Sequence, residues 1–367
     1  MAHPYAPMGG SYDDRVVGIV VDEFLRKGWI VGTFNFRGAH GSKGRTSWSG
    51  KPELDDYISV AAFFIHYLSY LRPDPPPMAV FTPEQSPVSA QVQKQEDVTS
   101  TRAEDAPIVV LGGYSYGSLI LRHMPPIPTI LRPFAAPLTG SAADEILLRA
   151  RKLADQLNLE WINLARDLER RQRNHRNANK LAVTMGGEET SPEKRRSSRD
   201  IRRSMDGNGS GSARRSLDIG NRLRSLSHRR PAIQSPNPQT PPETTPRSAI
   251  AIPEVRYLLV SPLTPPISTL AAPALVPKFW SKGVNGASGD VVAKHETLVV
   301  FGEQDIFSSV KKVREWVKAV RGQAGNSRFE GVEVHGAGHF WHEEGVERGL
   351  RDALGSWGVR VREKAKE

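Results

Sequence analysis

The 367-residue chain contains no cysteine, which excludes a disulfide framework, a cysteine-ligated metal and a thiol nucleophile. It has no apolar run near the roughly 18 to 20 residues needed to cross a bilayer. Residues 1–14 carry no hydrophobic stretch after a basic start, the mark of a secretory signal. No membrane span is therefore expected. The expected location is cytoplasmic, with the nucleus left open by one basic segment. The chain is also short of acidic charge, with 50 Lys and Arg against 40 Asp and Glu.

That excess is local. Between Arg170 and Arg230 there are 17 basic and 6 acidic residues, so the remainder carries 33 and 34 and is nearly neutral. The same stretch holds KRRSSRDIRRSMDGNGSGSARRSLD and then SPNPQTPPETTP, with few aliphatic residues and no apolar period. Such a composition cannot bury enough apolar surface to offset its ordering entropy. Residues 174–249 are thus expected to be a disordered basic insertion rich in Ser, Arg and Pro, and not a nucleic-acid-binding domain, since no aromatic platform accompanies the charge. Arg-Arg-Ser recurs at Arg195-Arg196-Ser197, Arg202-Arg203-Ser204 and Arg214-Arg215-Ser216. That pattern suits a basophilic kinase, so such a kinase is an expected partner.

What is present outside the insertion alternates between helix and strand periods. Val16, Val20 and Phe24 mark a helical face, with Asp13 placed to cap it and Gly28 to end it. Trp29 to Phe36 is short, apolar and followed by a Gly-rich turn, as in a buried strand. A helix is expected from Glu53 to Leu71, an exposed flexible loop over 74–106, a strand from Pro107 to Gly113 and a helix from Ser118. A helical excursion over 142–173 leads into the insertion. Val255 to Val260 and Thr297 to Phe301 read as strands. Phe329 to His335 is another, with helices over Val310 to Val320 and Val346 to Trp357. The fold class expected is α/β, a mostly parallel sheet with helices on both faces. The two core parts are 1–173 and 250–367.

Gly113-Tyr114-Ser115-Tyr116-Gly117 fits G-x-S-x-G, with a strand before it and a helix after it. The spacing has a mechanical reason: a sharp strand-to-helix turn leaves no room for side chains beside the serine and lifts its Oγ above the sheet. A serine hydroxyl needs a base, and the base an orienting carboxylate. Asp305 follows the strand TLVVF and His339 follows the strand containing Val332 and Val334, giving the chain order Ser, Asp, His at strand ends. His335 and His342 compete as the base, but His335 lies at the strand end and His342 falls beyond the loop.

With His3-Pro4-Tyr5-Ala6-Pro7, Gly9-Gly10-Ser11, Asn35-Phe36-Arg37-Gly38 and the Glu53 to Asp56 pair, these residues resemble the α/β-hydrolase superfamily. Within it they are similar to a group of predicted hydrolases that carry HPHP-like, GG, NFRG and G-x-S-x-G motifs. The likeness spans roughly residues 2–122 and 255–357. It implies the α/β-hydrolase fold, catalytic Ser115, Asp305 and His339, and an oxyanion hole from the backbone N–H groups of Tyr116 and, by match to the His-Pro motif, Tyr5. Arg37, Gly38, Glu53 and Asp56 are taken as structural. The superfamily's topology also places a strand before His3, between Trp29 to Phe36 and Pro107 to Gly113. N-terminal strands therefore look to be missing, and the start of the chain is expected to be incomplete.

The function expected is a serine hydrolase, esterase- or thioesterase-like, acting on a small, apolar acyl substrate without cofactor or metal. The competing expectation is a weakly active or inactive hydrolase-like interaction protein regulated through its phosphorylatable basic arm.

Overall fold

In the computed structural model the described residues are 1–72, 107–184, 250–275, 291–322 and 328–364. The expected loop over 74–106 and the Arg-Arg-Ser sites lie outside them. By internal contacts the chain forms two units, residues 1–166 with 246–367, and residues 167–245. The first holds the sheet.

Four strands, β1 (Ile108–Tyr114), β2 (Glu254–Val260), β3 (Thr297–Gly302) and β4 (Phe329–Val334), lie side by side in chain order, all parallel. Leu111 stands opposite Tyr257, which stands opposite Thr297, which stands opposite Phe329. Parallel strands need crossovers, and helices cover both faces as a result. On one face Val109, Leu111, Tyr257, Leu259, Val299 and Phe301 pack with α2 (Lys51–Tyr70), α3 (Tyr116–Leu121), α4 (Ile127–Leu131) and the start of α5 (Ala142–Thr184). On the other, Leu258, Val260, Leu298 and Val300 meet α1 (Arg15–Arg26) and a later helix, α8 (Val346–Lys364). Two further helices among the described residues are α6 (Ile267–Ala271) and α7 (Val310–Arg321). The architecture is α/β.

Three local readings are corrected by the structure. The cap of α1 is Asp14, whose carboxylate accepts from the N–H groups of Val16 (2.8 Å) and Val17 (3.4 Å), whereas Asp13 is engaged by the Ser11 hydroxyl. Helix α5 runs on to Thr184, past the expected start of the insertion at 174, over a stretch that contains the good helix formers Arg176, Ala178, Lys180, Leu181 and Ala182. Trp29 to Phe36 forms no strand. Its N–H and C=O groups instead meet other partners: Trp29 N–H donates to Phe24 O (3.1 Å), Phe36 N–H to a ring nitrogen of His3 (2.9 Å), and Gly32 O accepts from the Met1 amine (2.7 Å). Among the described residues the space beside β1 is bridged where Ala2 meets Gly113.

Candidate active site

Strand β1 ends at Tyr114 and helix α3 starts at Tyr116, so the reversal falls on one residue. Ser115 takes φ 53° and ψ −113°, a region that residues with a Cβ rarely occupy. The surroundings hold it there. Ser115 N–H donates to Val260 O (2.9 Å), and the Ser118 hydroxyl lies near both Gly113 O (2.6 Å) and Val260 O (3.1 Å). The flanking glycines are required by space: a Cβ on Gly113 would stand 2.4 Å from the Gly117 carbonyl, and one on Gly117 would stand 2.7 Å from Ala2 O and 2.8 Å from His3 O.

Asp305 and His339 arrive on the loops after β3 and β4. These loops are zipped together: Glu303 N–H donates to Val334 O (3.1 Å) and Gln304 N–H to Ala337 O (2.9 Å). A Cβ on Gly302 would meet Ala337 O at 2.1 Å, so this close approach needs glycine. Asp305 is then clamped by the N–H groups of Phe307 (2.8 Å) and Ser308 (2.9 Å), both donating to Oδ1.

The three side chains form one buried line. Ser115 Oγ is 2.8 Å from His339 Nε2, and His339 Nδ1 is 2.9 Å from Asp305 Oδ1 and 2.8 Å from Oδ2. A carboxylate accepts, so Nδ1 carries the ring proton and Nε2 is left to accept from the serine hydroxyl. The competing histidines are elsewhere. His335 is solvent-exposed and paired with Glu303 at 2.5 Å, and His342 sits 3.2 Å from Arg15 on the surface.

Tyr114 had no role in the sequence reading beyond its place in the motif. Its hydroxyl donates to His339 O at 2.8 Å, a tie across 225 positions that no local pattern signals. Burial pushes this phenol's pKa up, with the Asp14 and Asp305 charges adding to it, so the donor stays protonated. Around the His339 ring lie Phe307 (ring centroids 4.8 Å apart) and Phe340 (5.4 Å), and Ile306 is 81% exposed beside them. The rim of the site is apolar.

His3 is fully buried and acts as a strut. Its Nδ1 is 2.6 Å from Pro4 O, which can only accept, so Nε2 is the acceptor for Phe36 N–H. This neutral tautomer agrees with burial lowering its pKa. Beyond it the chain folds back, with the N–H groups of Met8 (3.0 Å) and Gly10 (3.2 Å) donating to Tyr5 O. A Cβ on Gly10 would stand 2.4 Å from Pro4 O, which explains the second glycine of the pair. The loop sets Tyr5 against Tyr116, with ring centroids 5.0 Å apart. Tyr116 is the first residue of α3, so its N–H has no partner within the helix.

Arg37 and Asp56 form a two-pronged pair (Nε to Oδ2 3.0 Å, Nη2 to Oδ1 2.6 Å), reinforced by Arg37 N–H to Oδ2 (3.0 Å). Glu53 is buried and accepts from the Ser47 N–H and hydroxyl, both at 2.5 Å. These residues brace the turn that carries Phe36. Among the described residues no cluster of three or more His, Asp or Glu side chains is arranged to hold a metal, and no helix is long and apolar enough to cross a membrane.

No protein-family model matches the chain, and no curated protein matches it. A solved structure described as an alpha-beta serine hydrolase homologue from Coxiella burnetii is similar over 97% of this chain and 81% of its own, at 15% identity and a TM-score of 0.38.

Proposed function

We propose that this chain is a serine hydrolase that cleaves an ester or thioester of an apolar acyl group. Ser115 is the nucleophile, His339 the base and then the acid, and Asp305 the residue that holds the His339 ring. The N–H groups of Tyr116 and Tyr5 bind the developing oxyanion. The observation that carries the reading is the 2.8 Å contact between Ser115 Oγ and His339 Nε2, backed by Asp305 on Nδ1.

In the first half-reaction Ser115 Oγ attacks the acyl carbonyl as its proton passes to His339 Nε2. The imidazolium that forms is stabilised by the Asp305 carboxylate, whose Oδ1 also accepts two backbone N–H groups. Collapse of the tetrahedral species expels the alcohol or thiol, which takes the proton from Nε2. Water, deprotonated by the same nitrogen, then attacks the acyl-serine, and collapse releases the carboxylic acid and returns the proton to Ser115. The apolar rim of Phe307, Phe340 and Ile306 favours a substrate whose acyl part is apolar.

The test is labelling by a fluorophosphonate together with hydrolysis of p-nitrophenyl esters of increasing chain length. One phosphonyl group per chain is expected, absent in Ser115→Ala. Asp305→Asn, which leaves the size of the site unchanged, should lower kcat on the order of 10⁴-fold through the wrong ring tautomer. A folded parent that neither labels nor turns over any ester of the series overturns the reading.

A further inference from the structure

Among the described residues three that are not glycine take a positive φ: Ser115 (53°), Ser261 (45°) and Trp341 (56°). Such angles are unfavourable for any residue with a Cβ and most of all for a bulky one, so each needs a reason. For Ser115 the reason is the turn that presents its hydroxyl. The other two residues are joined to each other. Trp341 Nε1–H donates to Ser261 Oγ at 3.0 Å, and both residues are fully buried.

Their places in the chain give the pair its meaning. Ser261 directly follows β2, with its N–H on Val300 O (2.8 Å), and Val260 before it accepts from the Ser115 N–H (2.9 Å) and the Ser118 hydroxyl (3.1 Å). Trp341 lies just past His339 in the same loop. Consecutive residues at the end of β2 therefore hold the turn of Ser115 and the loop of His339. That loop has two more anchors, the Tyr114 hydroxyl on His339 O (2.8 Å) and Arg15 Nη1 on Trp341 O (3.1 Å), while Phe340 between them is exposed at the rim. Glycine would take φ 45° at position 261 without strain, so the serine there is accounted for by its Oγ. A phenyl ring at 341 would fill most of the space of the indole but would bring no N–H.

We infer that Ser261 and Trp341 are positioning residues, whose hydrogen bond ties the His339 loop to the strand end that also holds the Ser115 turn and so sets the 2.8 Å contact between Ser115 Oγ and His339 Nε2. The inference rests on the roles proposed for Ser115 and His339, and both residues act through His339 rather than on the substrate. The same ring nitrogen serves acylation and deacylation. A displaced ring therefore slows both steps and lowers kcat with little change in KM.

The experiment compares Ser261→Ala, Ser261→Gly, Trp341→Phe and the double variant Ser261→Ala/Trp341→Phe with Trp357→Phe. Trp357 is the control because it is likewise buried in the same apolar cluster, yet its indole N–H has no hydrogen-bond partner among the described residues. Rates are taken per folded chain, with the folded fraction read from urea curves. Each single change at 261 or 341 should lower kcat for a p-nitrophenyl ester and the rate of fluorophosphonate labelling about tenfold, with KM within about twofold of the parent's. The double variant should fall no more than about twofold below the weaker single, since both changes remove the same bond. Trp357→Phe should lower the urea midpoint and leave kcat within about twofold. The Nδ1–H resonance of His339, held at low field by Asp305, should broaden or move upfield in the 261 and 341 variants and stay in place in Trp357→Phe. Should Trp341→Phe fail to fold, Ser261→Gly, which relieves the backbone, carries the test. Parent rates in the folded 261 and 341 variants, an equal loss in Trp357→Phe, or losses that multiply in the double variant would overturn the inference. If the parent neither labels nor turns over ester, the hydrolase reading fails by itself, and an unmoved His339 resonance in the 261 and 341 variants then overturns the tie separately.

Discussion

At the scale of single residues, the strained Ser115 backbone depends on what its neighbours lack. Two of the glycines around it are there because carbonyl groups occupy the space where a methyl would stand, from Ala2 and His3 at Gly117 and from Gly117 itself at Gly113. Gly117→Ala must push the first residues of the chain away from β1 or straighten the turn. The expected outcome is a stability loss of about 2 kcal/mol or more together with a fall in fluorophosphonate labelling rate, read by urea denaturation and by intact mass. Retained stability with retained labelling would show that the N-terminal residues can move aside. A second residue-scale feature is His66 on α2. It is buried against Phe134 and Tyr70 with neither ring nitrogen hydrogen-bonded, and burial lowers its pKa to about 4. No sequence pattern separates such a core histidine from a working one.

At the scale of elements, two adjacent aspartates precede α1 and the sequence gives no reason to prefer the second. The structure does, because only Asp14 reaches back to the N–H groups of Val16 and Val17. Asp14→Ala should therefore cost about 1 kcal/mol, measured from the urea midpoint, whereas Asp13→Ala should leave the midpoint close to the parent's. An equal loss in both would assign the stabilisation to the Ser11 to Asp13 turn. The segment Trp29 to Phe36 carries the opposite lesson. Its apolar composition is that of a buried strand, yet strand structure requires a neighbour, and among the described residues the position between it and β1 is filled at one end, by Met1 to His3. Composition reports a residue's fitness for a sheet; pairing decides whether the ladder forms.

At the scale of the whole molecule, the sheet is sealed on both faces by helices, and protonation of groups buried there works against it. His66 has a folded-state pKa below its unfolded value of 6.5, so the unfolded chain binds more protons between those values. Stability is complete above about pH 6.5 and falls as the pH drops toward about 4, by on the order of 2 to 3 kcal/mol from this group. His3, whose pKa is lowered by burial, acts in the same direction below 6.5. His66→Phe should flatten the slope of unfolding free energy between pH 6.5 and 4; an unchanged slope would assign the acid sensitivity to His3 and to other groups.

The α/β class and most helices and strands were legible in the sequence, because a period of 3.6 or a short β-rich run bounded by glycine records burial locally. Ser115 could be singled out because its turn demands glycines at fixed spacing within five residues. Asp305 and His339 could be named only as residues at strand ends. What brings them within 2.8 and 2.9 Å of one another is the register of β3 with β4 and the approach allowed at Gly302. The Tyr114 tie to His339, the strut made by His3 and the apolar rim of Phe307 and Phe340 were decided by tertiary structure alone. Each joins residues far apart in the chain, and a linear sequence records the local requirements of a turn or a helix but not which distant backbone will come to lie against it.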